Sequence, residues 1–283
     1  GLNARRAIGE FFAGTYLGHS QTNSYLQETI DFMLRWLVEK RFIRRTNVGS
    51  EEEDWNDEVP SWVDAAQTAS GVSLSKNKSI EPTEVTFGFQ KASRISTQAS
   101  NSFDFEAMDN EYEATPMGER VAQLYIDPLS ADILLEGLRR AVRRIVRKTL
   151  PVTSFSLCHL VAATPDFISL WPKSKELEFG SELRQKAALV EDELLIESPI
   201  DERAMGMVKS AWCTEYWYEE KDLRDIEKEL GVTPGDVYSR TDLMGWLLLV
   251  AREILLRDDI FADEHLGYVA ELAGILELTR SRV

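Results

Sequence analysis

Cysteine is scarce in this 283-residue chain: Cys158 and Cys213 are the only two. Neither belongs to a CxxC pair or to a Cys/His ligand spacing, which excludes a disulfide framework and a cysteine-built zinc site. The expectation is two ordinary buried thiols in a reducing, cytoplasmic compartment. Long apolar runs are missing as well. The longest, from Trp246 to Ala251, stops at Arg252 and Glu253, far short of the roughly 20 residues that a spanning helix needs. No basic, apolar and small-residue progression marks the first residues as a secretory signal, so no membrane partner is expected. His19, His159 and His265 lie far apart and have no i+4 partner for a metal, and each reads as a packed or surface side chain. There is no G-x-x-x-x-G-K-[ST] phosphate loop, no glycine-rich dinucleotide fingerprint and no G-x-S-x-G elbow. Asp201-Glu202-Arg203-Ala204 looks superficially like a helicase metal-binding box but lacks the closing Asp or His. It reads as a helix start with acids on the dipole. No self-sufficient catalytic site is visible, and no cofactor is expected on these residues.

Acids are plentiful. Lys and Arg number 32 against 48 Asp and Glu, a net charge of −16, which counts against a dedicated nonspecific nucleic-acid binder. Distribution matters more than the sum, because the acids gather in 51–58, 104–113 and 191–229. A basic stripe runs elsewhere. In the helix expected over Ser130–Leu150, Leu134, Leu135, Leu138, Val142, Ile145 and Val146 make an apolar face. Arg139, Arg143 and Arg147 recur every fourth residue, as do Arg140, Arg144 and Lys148, so both rows lie on adjoining surface. Such a stripe could track a phosphate backbone. It could equally be a solvated face that pairs with carboxylates of neighbouring helices.

Residues 4–17 predict a short helix, and a second starts near Ser24, an N-cap with Gln27 at the capping-box position. Two helices followed by the exit KRFIRRT into a strand near Phe42 are the pattern of a winged-helix module. Residues 47–110, rich in Ser, Thr, Asn and acids, read as an enlarged, partly extended wing insert with one alternating strand at 84–89. Beyond Tyr112 the pattern is helical, with helices at Ser130–Leu150, Phe155–Ala162, Glu176–Leu189, Glu202–Tyr218, Leu223–Leu230, Ser239–Leu256 and His265–Arg280. Pro128, Pro151, Pro165, Pro172, Pro199 and Pro234 fall between them. The expected architecture is mainly α: a winged-helix domain at 1–122 with its insert at about 47–110, then an all-helical bundle at 123–283.

Three strings carry a family resemblance: ATPMGERVAQLYIDPLSA at 114–131, FSLCHLVAATPDFISLWP at 155–172 and WYEEKDLRDIEKELGVTPGDVYSRTDLMGW at 217–246. In this order they resemble the archaeal superfamily-two DNA helicases of the Hjm type, which act at stalled replication forks. The resemblance covers 4–45 and 113–283, leaving the insert outside. It implies that the bundle is a ratchet domain, that two RecA-like ATPase domains using ATP and Mg²⁺ precede this region, and that a small helix-hairpin domain follows. The chain would then be an excised, non-catalytic part of an ATP-dependent repair helicase.

In the family the ratchet helix lies across the emerging single strand, with an aromatic side chain stacked on one base and an arginine engaging another. Trp246 falls on the expected tryptophan, and Pro234-Gly235-Asp236 provides the helix start before it. Ser239 occupies the place of the family arginine, seven residues earlier, and Arg240 is the nearest substitute, about 100° round the helix. The resemblance thus implies a DNA-binding set of Trp246, Arg240, Ser239 and Asp242, with Arg140 and Arg144 of the basic stripe. Packing beside Leu243, Leu247 and Val250 is the other reading of Trp246, whereas Trp217, beside Val208, Trp212 and Cys213, reads as core.

Three function classes stand at this point. The chain could guide single-stranded or forked DNA for a helicase, partnered by the ATPase domains and by replication or repair proteins. It could be a winged-helix regulator, although Ser24–Lys40 offers only Arg35 and Lys40 against Glu28, Asp31 and Glu39. It could also be a protein-interaction scaffold built on its acidic surface and on the Trp55 and Trp62 region.

Overall fold

The computed structural model describes residues 4–20, 22–46, 111–196, 201–258 and 265–283. The expected insert and its strand at 84–89 lie outside the described residues. What is described is mainly helical, and it divides into two compact units: 1–36 with 45–113, and 37–44 with 114–283.

The first unit contains α1 (Arg5–Ala13), α2 (Tyr16–Ser20) and most of α3 (Asn23–Glu39). The single helix expected at 4–17 breaks after Ala13. There Gly14 N–H turns back to the Glu10 and Phe11 carbonyls, and the Thr15 hydroxyl donates to Phe12 O at 2.6 Å. Thr22 rather than Ser24 serves the start of α3, accepting from Tyr25 N at 3.4 Å, while the Ser24 hydroxyl donates to Glu28 at 3.0 Å. Leu26, Ile30 and Leu34, spaced by four, form the buried face of α3. Arg5 grips Asp31 through two bonds of 2.5 Å each and ties α1 to that helix. Strands β1 (Ile43–Arg45) and β2 (Tyr112–Ala114) pair as a two-stranded sheet.

The change of unit falls between Glu113 and Ala114, and the contacts of α4 (Pro116–Leu124) accompany it. Thr115 N–H donates to Phe42 O at 3.0 Å, and the Thr115 hydroxyl donates to Arg41 O at 2.6 Å. A Cβ on Gly118 would sit 1.9 Å from Phe42 O, so only glycine allows this approach. Lys40 adds an ion pair to Asp132 at 2.9 Å.

The second unit continues with α5 (Pro128–Arg147), α6 (Ser154–Ala162), α7 (Glu182–Val190), α8 (Glu202–Tyr218), α9 (Leu223–Leu230), α10 (Pro234–Leu255) and α11 (Leu266–Arg282). One local device starts α4, α5 and α10. A capping side chain is followed at once by proline: Thr115-Pro116, Asp127-Pro128 and Thr233-Pro234. Proline loses nothing at the first helical position, where its missing N–H would be unpaired anyway. Asp201 caps α8 by accepting from Ala204 N at 2.8 Å, the helix-start role expected of it. The helix predicted at 176–189 is split, because Gly180 adopts φ +82° and Ser181 caps a new helix after it.

Helix α10 is the hub, packed against α4, α5, α6, α8 and α11. Helix α6 is buried along 155–162 and carries Cys158 and His159 inside. Cys213 on α8 is fully buried too, and burial pushes both thiols up, that of Cys213 to about 12. Lys209 is 2% exposed and pairs with Glu176 at 2.7 Å, which holds the segment before α7 onto α8. Among the described residues no helix is long and apolar enough to cross a membrane.

Burial lowers the pKa of His159 from 6.5 to about 4. The unfolded chain therefore takes up this proton first as pH falls. The group has no effect on stability above pH 6.5 and removes about 3 kcal/mol between pH 6.5 and 4. Replacing His159 by Phe should shrink the loss of denaturant stability from pH 7 to pH 4 by that amount. Parallel losses in both proteins would refute this account.

Candidate nucleic-acid interface

Helix α10 starts from a reciprocal capping box. Asp236 N–H donates to Thr233 Oγ1 at 3.2 Å, and Thr233 N–H donates to Asp236 Oδ2 at 3.1 Å. The Thr233 hydroxyl also donates to that carboxylate at 2.7 Å, and these bonds hold it below the usual carboxylate range. The helix begins at Pro234, five residues ahead of the start expected from apolar periodicity, because its first turns are polar and outward.

Val237, Thr241, Met244, Leu248, Ala251 and Leu255 follow one another every three or four residues and are buried, with Leu247, Val250 and Ile254 widening the face. Ser239, Asp242 and Trp246 have the same spacing on the other side and are exposed. At 100° per residue they fall within about 60° of arc, a single line along the helix. Trp246 is 39% exposed. The indole is thus partly buried and partly exposed.

Arg240 stands off that line, about 120° round from Trp246. Its guanidinium donates to Ser239 Oγ at 2.8 Å and lies 3.9 Å from Asp236, so it leans back along the helix toward Ser239. Tyr238, which periodicity did not single out, is 50% exposed at the border of the line. Its ring meets Trp217 edge-on, with centroids 5.4 Å apart. Trp217 is fixed in turn by its Nε1 donating to Val283 O at 2.9 Å, and it packs against the buried cluster of Cys213, Ile226 and Val237, as its neighbours on the helix suggested. The only advance signal for Tyr238 was an aromatic residue one turn after Pro234.

On α5 the basic stripe divides. Arg139 makes two bonds, of 2.7 and 2.8 Å, to Asp258, whose carboxylate is 2% exposed. Arg144 donates to the carbonyls of Glu193 and Leu194 at 2.8 Å each. Burial and the nearby Arg140 lower its pKa. Arg140 is half-buried, whereas Arg143, Arg147 and Lys148 are exposed. Arg139 and Arg144 are thus engaged within the fold, whereas Arg143, Arg147 and Lys148 face outward. Among the described residues no cluster of His, Cys, Asp or Glu could hold a metal ion.

Residues 155–272 match the family model for the archaeal helicase, domain 4. The exposed line on α10 lies within that match. The chain is 30% identical over 156 residues to the ATP-dependent DNA helicase Hel308 of Methanocella arvoryzae, covering 53% of this chain and 20% of that protein. It is 30% identical over 185 residues to Hel308 of Pyrococcus horikoshii, with 65% and 23% covered. Against Hel308 of Thermococcus kodakarensis it is 31% identical over 153 residues, with 52% and 13% covered. The matching part of the chain spans less than a quarter of each relative's length.

The divided environment of Trp246 has a measurable consequence. Trp246→Ala should cost about 1–2 kcal/mol of stability in urea denaturation, below the roughly 3–5 typical of a buried aromatic. The adjacent Leu247→Ala, at full burial, should cost about 2–5 kcal/mol. An equal or larger loss for Trp246 would show that the indole works as core alone.

Proposed function

Because this chain belongs to the Hel308-type archaeal helicases, in the region that carries their domain 4, we propose that it guides and grips single-stranded DNA while the whole protein unwinds forks. The observation that carries this reading is the exposed line Ser239–Asp242–Trp246 on a helix whose other side is wholly buried. A strand crossing α10 would stack a base on the outward part of Trp246. Every base has a π-face, so such a grip is independent of sequence and suits a motor that must pass all sequences. Asp242 would repel a phosphate, which favours a strand that turns its bases rather than its backbone to this line. Its carboxylate can accept from exocyclic amino groups, and Ser239 can donate or accept. Arg240, leaning toward Ser239, would reach the strand nearly two turns before Trp246.

Phosphates would be met elsewhere. The donors of Arg144 are committed to carbonyls, so backbone contact on α5 is assigned to Arg143, Arg147 and Lys148, with Arg140 beside them. The first unit, with helices α1–α3 leading into β1 and β2 paired to it, fits a winged-helix module. ATP and Mg²⁺ would act in RecA-like domains of the whole protein, since these 283 residues contain no phosphate loop.

The decisive experiment is fluorescence anisotropy of a labelled single-stranded oligonucleotide with the 283-residue chain. Trp246→Ala should weaken binding by about 1–3 kcal/mol when measured well below its melting temperature, beyond the modest stability loss expected of it; unaltered affinity in the folded variant defeats the stacking role. A second series varies salt. Replacing Arg143 and Arg147 by Glu should reduce the slope of log affinity against log salt by about 1.4, because each lost phosphate contact removes about 0.7 for a single strand. A slope that is unchanged, with a lower melting temperature, assigns these arginines to the fold.

A further inference from the structure

The start of α10 carries a second outward aromatic side chain, Tyr238, which is 50% exposed beside the 39% of Trp246. Tyr238, Asp242 and Trp246 stand four residues apart and are all exposed, so together they form one ridge of the helix surface. Eight residues set the two aromatic positions about 12 Å apart along the axis. A stacked strand advances about 3.4 Å per nucleotide, and this distance covers three or four such steps. Neighbouring bases of a stacked strand cannot meet both rings, whereas bases with others between them can.

Tyr238 is also held in place. Its ring meets that of Trp217 at 5.4 Å between centroids, with the planes 78° apart. Trp217 cannot retreat, because its Nε1 donates to Val283 O at 2.9 Å and its ring packs against the buried cluster of Cys213, Ile226 and Val237. Val237, the residue before Tyr238, is itself buried in that cluster, so the backbone is fixed here as well. An aromatic side chain has few rotatable bonds, and one already clamped loses little freedom when a flat partner settles on it. Covering Trp217 accounts for the buried half of Tyr238. The exposed half is left without a role, and any apolar side chain of similar size would cover Trp217 equally well.

We propose that Tyr238 is a second base-stacking residue, and that one single strand lies along the ridge with bases on Tyr238 and Trp246 at once. This rests on the DNA-guiding role proposed above. The nucleotides between the two stacked bases pass over Asp242. A strand held by one ring can pivot about it; a strand held by two is fixed in direction relative to α10.

The test is fluorescence anisotropy of a labelled single-stranded oligonucleotide with the 283-residue chain, beside a strand of equal length made of abasic sites. Tyr238→Leu keeps an apolar cover on Trp217 but removes the π-face. It should weaken binding to the intact strand by about tenfold. Binding to the abasic strand and the circular dichroism spectrum should be unchanged, and Tyr238→Phe should bind like the unsubstituted chain. Without any substitution, ultraviolet irradiation on a bromodeoxyuridine strand should crosslink two tryptic peptides, the one ending at Arg240 that holds Tyr238 and the next, which holds Trp246. Equal loss of affinity for both strands in Tyr238→Leu assigns the side chain to the fold and overturns the proposal. A crosslink confined to the Trp246 peptide overturns it too, as does a loss in Tyr238→Phe as large as in Tyr238→Leu, which would point to the hydroxyl. Weaker binding in Trp246→Ala with none in Tyr238→Leu removes the second stacking residue and leaves the guiding role standing. Loss in neither variant overturns both.

Discussion

A helix at the centre of a bundle has no side to spare, yet α10 contacts five other helices and still presents a line of exposed residues. The packing of its buried face constrains the rest of the second unit. Because α4, α5, α6, α8 and α11 all rest on that face, the direction in which Trp246 points is set by burial of Met244, Leu247, Leu248 and Ala251 rather than by any contact of its own. The capping box at Thr233 fixes where the helix begins, and thus which residues fall on which side. An insertion of a single residue between Pro234 and Trp246 would rotate the indole by about 100° and replace an outward aromatic by a buried one.

The cations of α5 follow a similar division of labour. An arginine can satisfy a carboxylate or a pair of carbonyls through its fork of donors, and Arg139 and Arg144 do so on opposite flanks of the helix. Holding Asp258 fixes the end of α10, and holding Glu193 and Leu194 fixes the chain that follows α7. Neighbouring members of the stripe are left at the surface. A net charge of −16 is therefore compatible with a local positive surface, because the fold engages Arg139 and Arg144 while Arg143, Arg147 and Lys148 of the same periodic pattern stay exposed.

Much of the helical order was legible in the sequence because its signals are local. Proline after a capping side chain, glycine after a helix, and apolar spacing of three and four each act within one or two turns. The breaks at Gly14 and Gly180 were missed because both glycines sit inside periodic apolar patterns that read as continuous. The capping role of Thr22 was masked by Ser24, an equally good candidate two residues on. What could not be read were choices between distant partners. Nothing near Arg139 announces Asp258, 119 residues away, and nothing near Arg144 announces the carbonyls 49 and 50 residues on. Trp246 was legible as a candidate from its family motif, but its split environment depends on packing with several helices. Arg240 was identified as displaced from the family position, and the geometry gives the displacement a direction, toward Ser239 and Asp236.

The two thiols bear on how the molecule can be handled. Cys158 and Cys213 are buried, and burial holds both in the protonated form, which is neither a nucleophile nor readily oxidised. Nothing on the described surface competes for a thiol-directed reagent. A cysteine introduced at Ser239, an exposed position on the line of α10, would alkylate selectively without prior removal of the native pair. Fluorophores, spin labels or crosslinkers could thus be seated beside Trp246 in an otherwise unaltered chain, and the approach of a strand could be followed from the surface it is expected to touch.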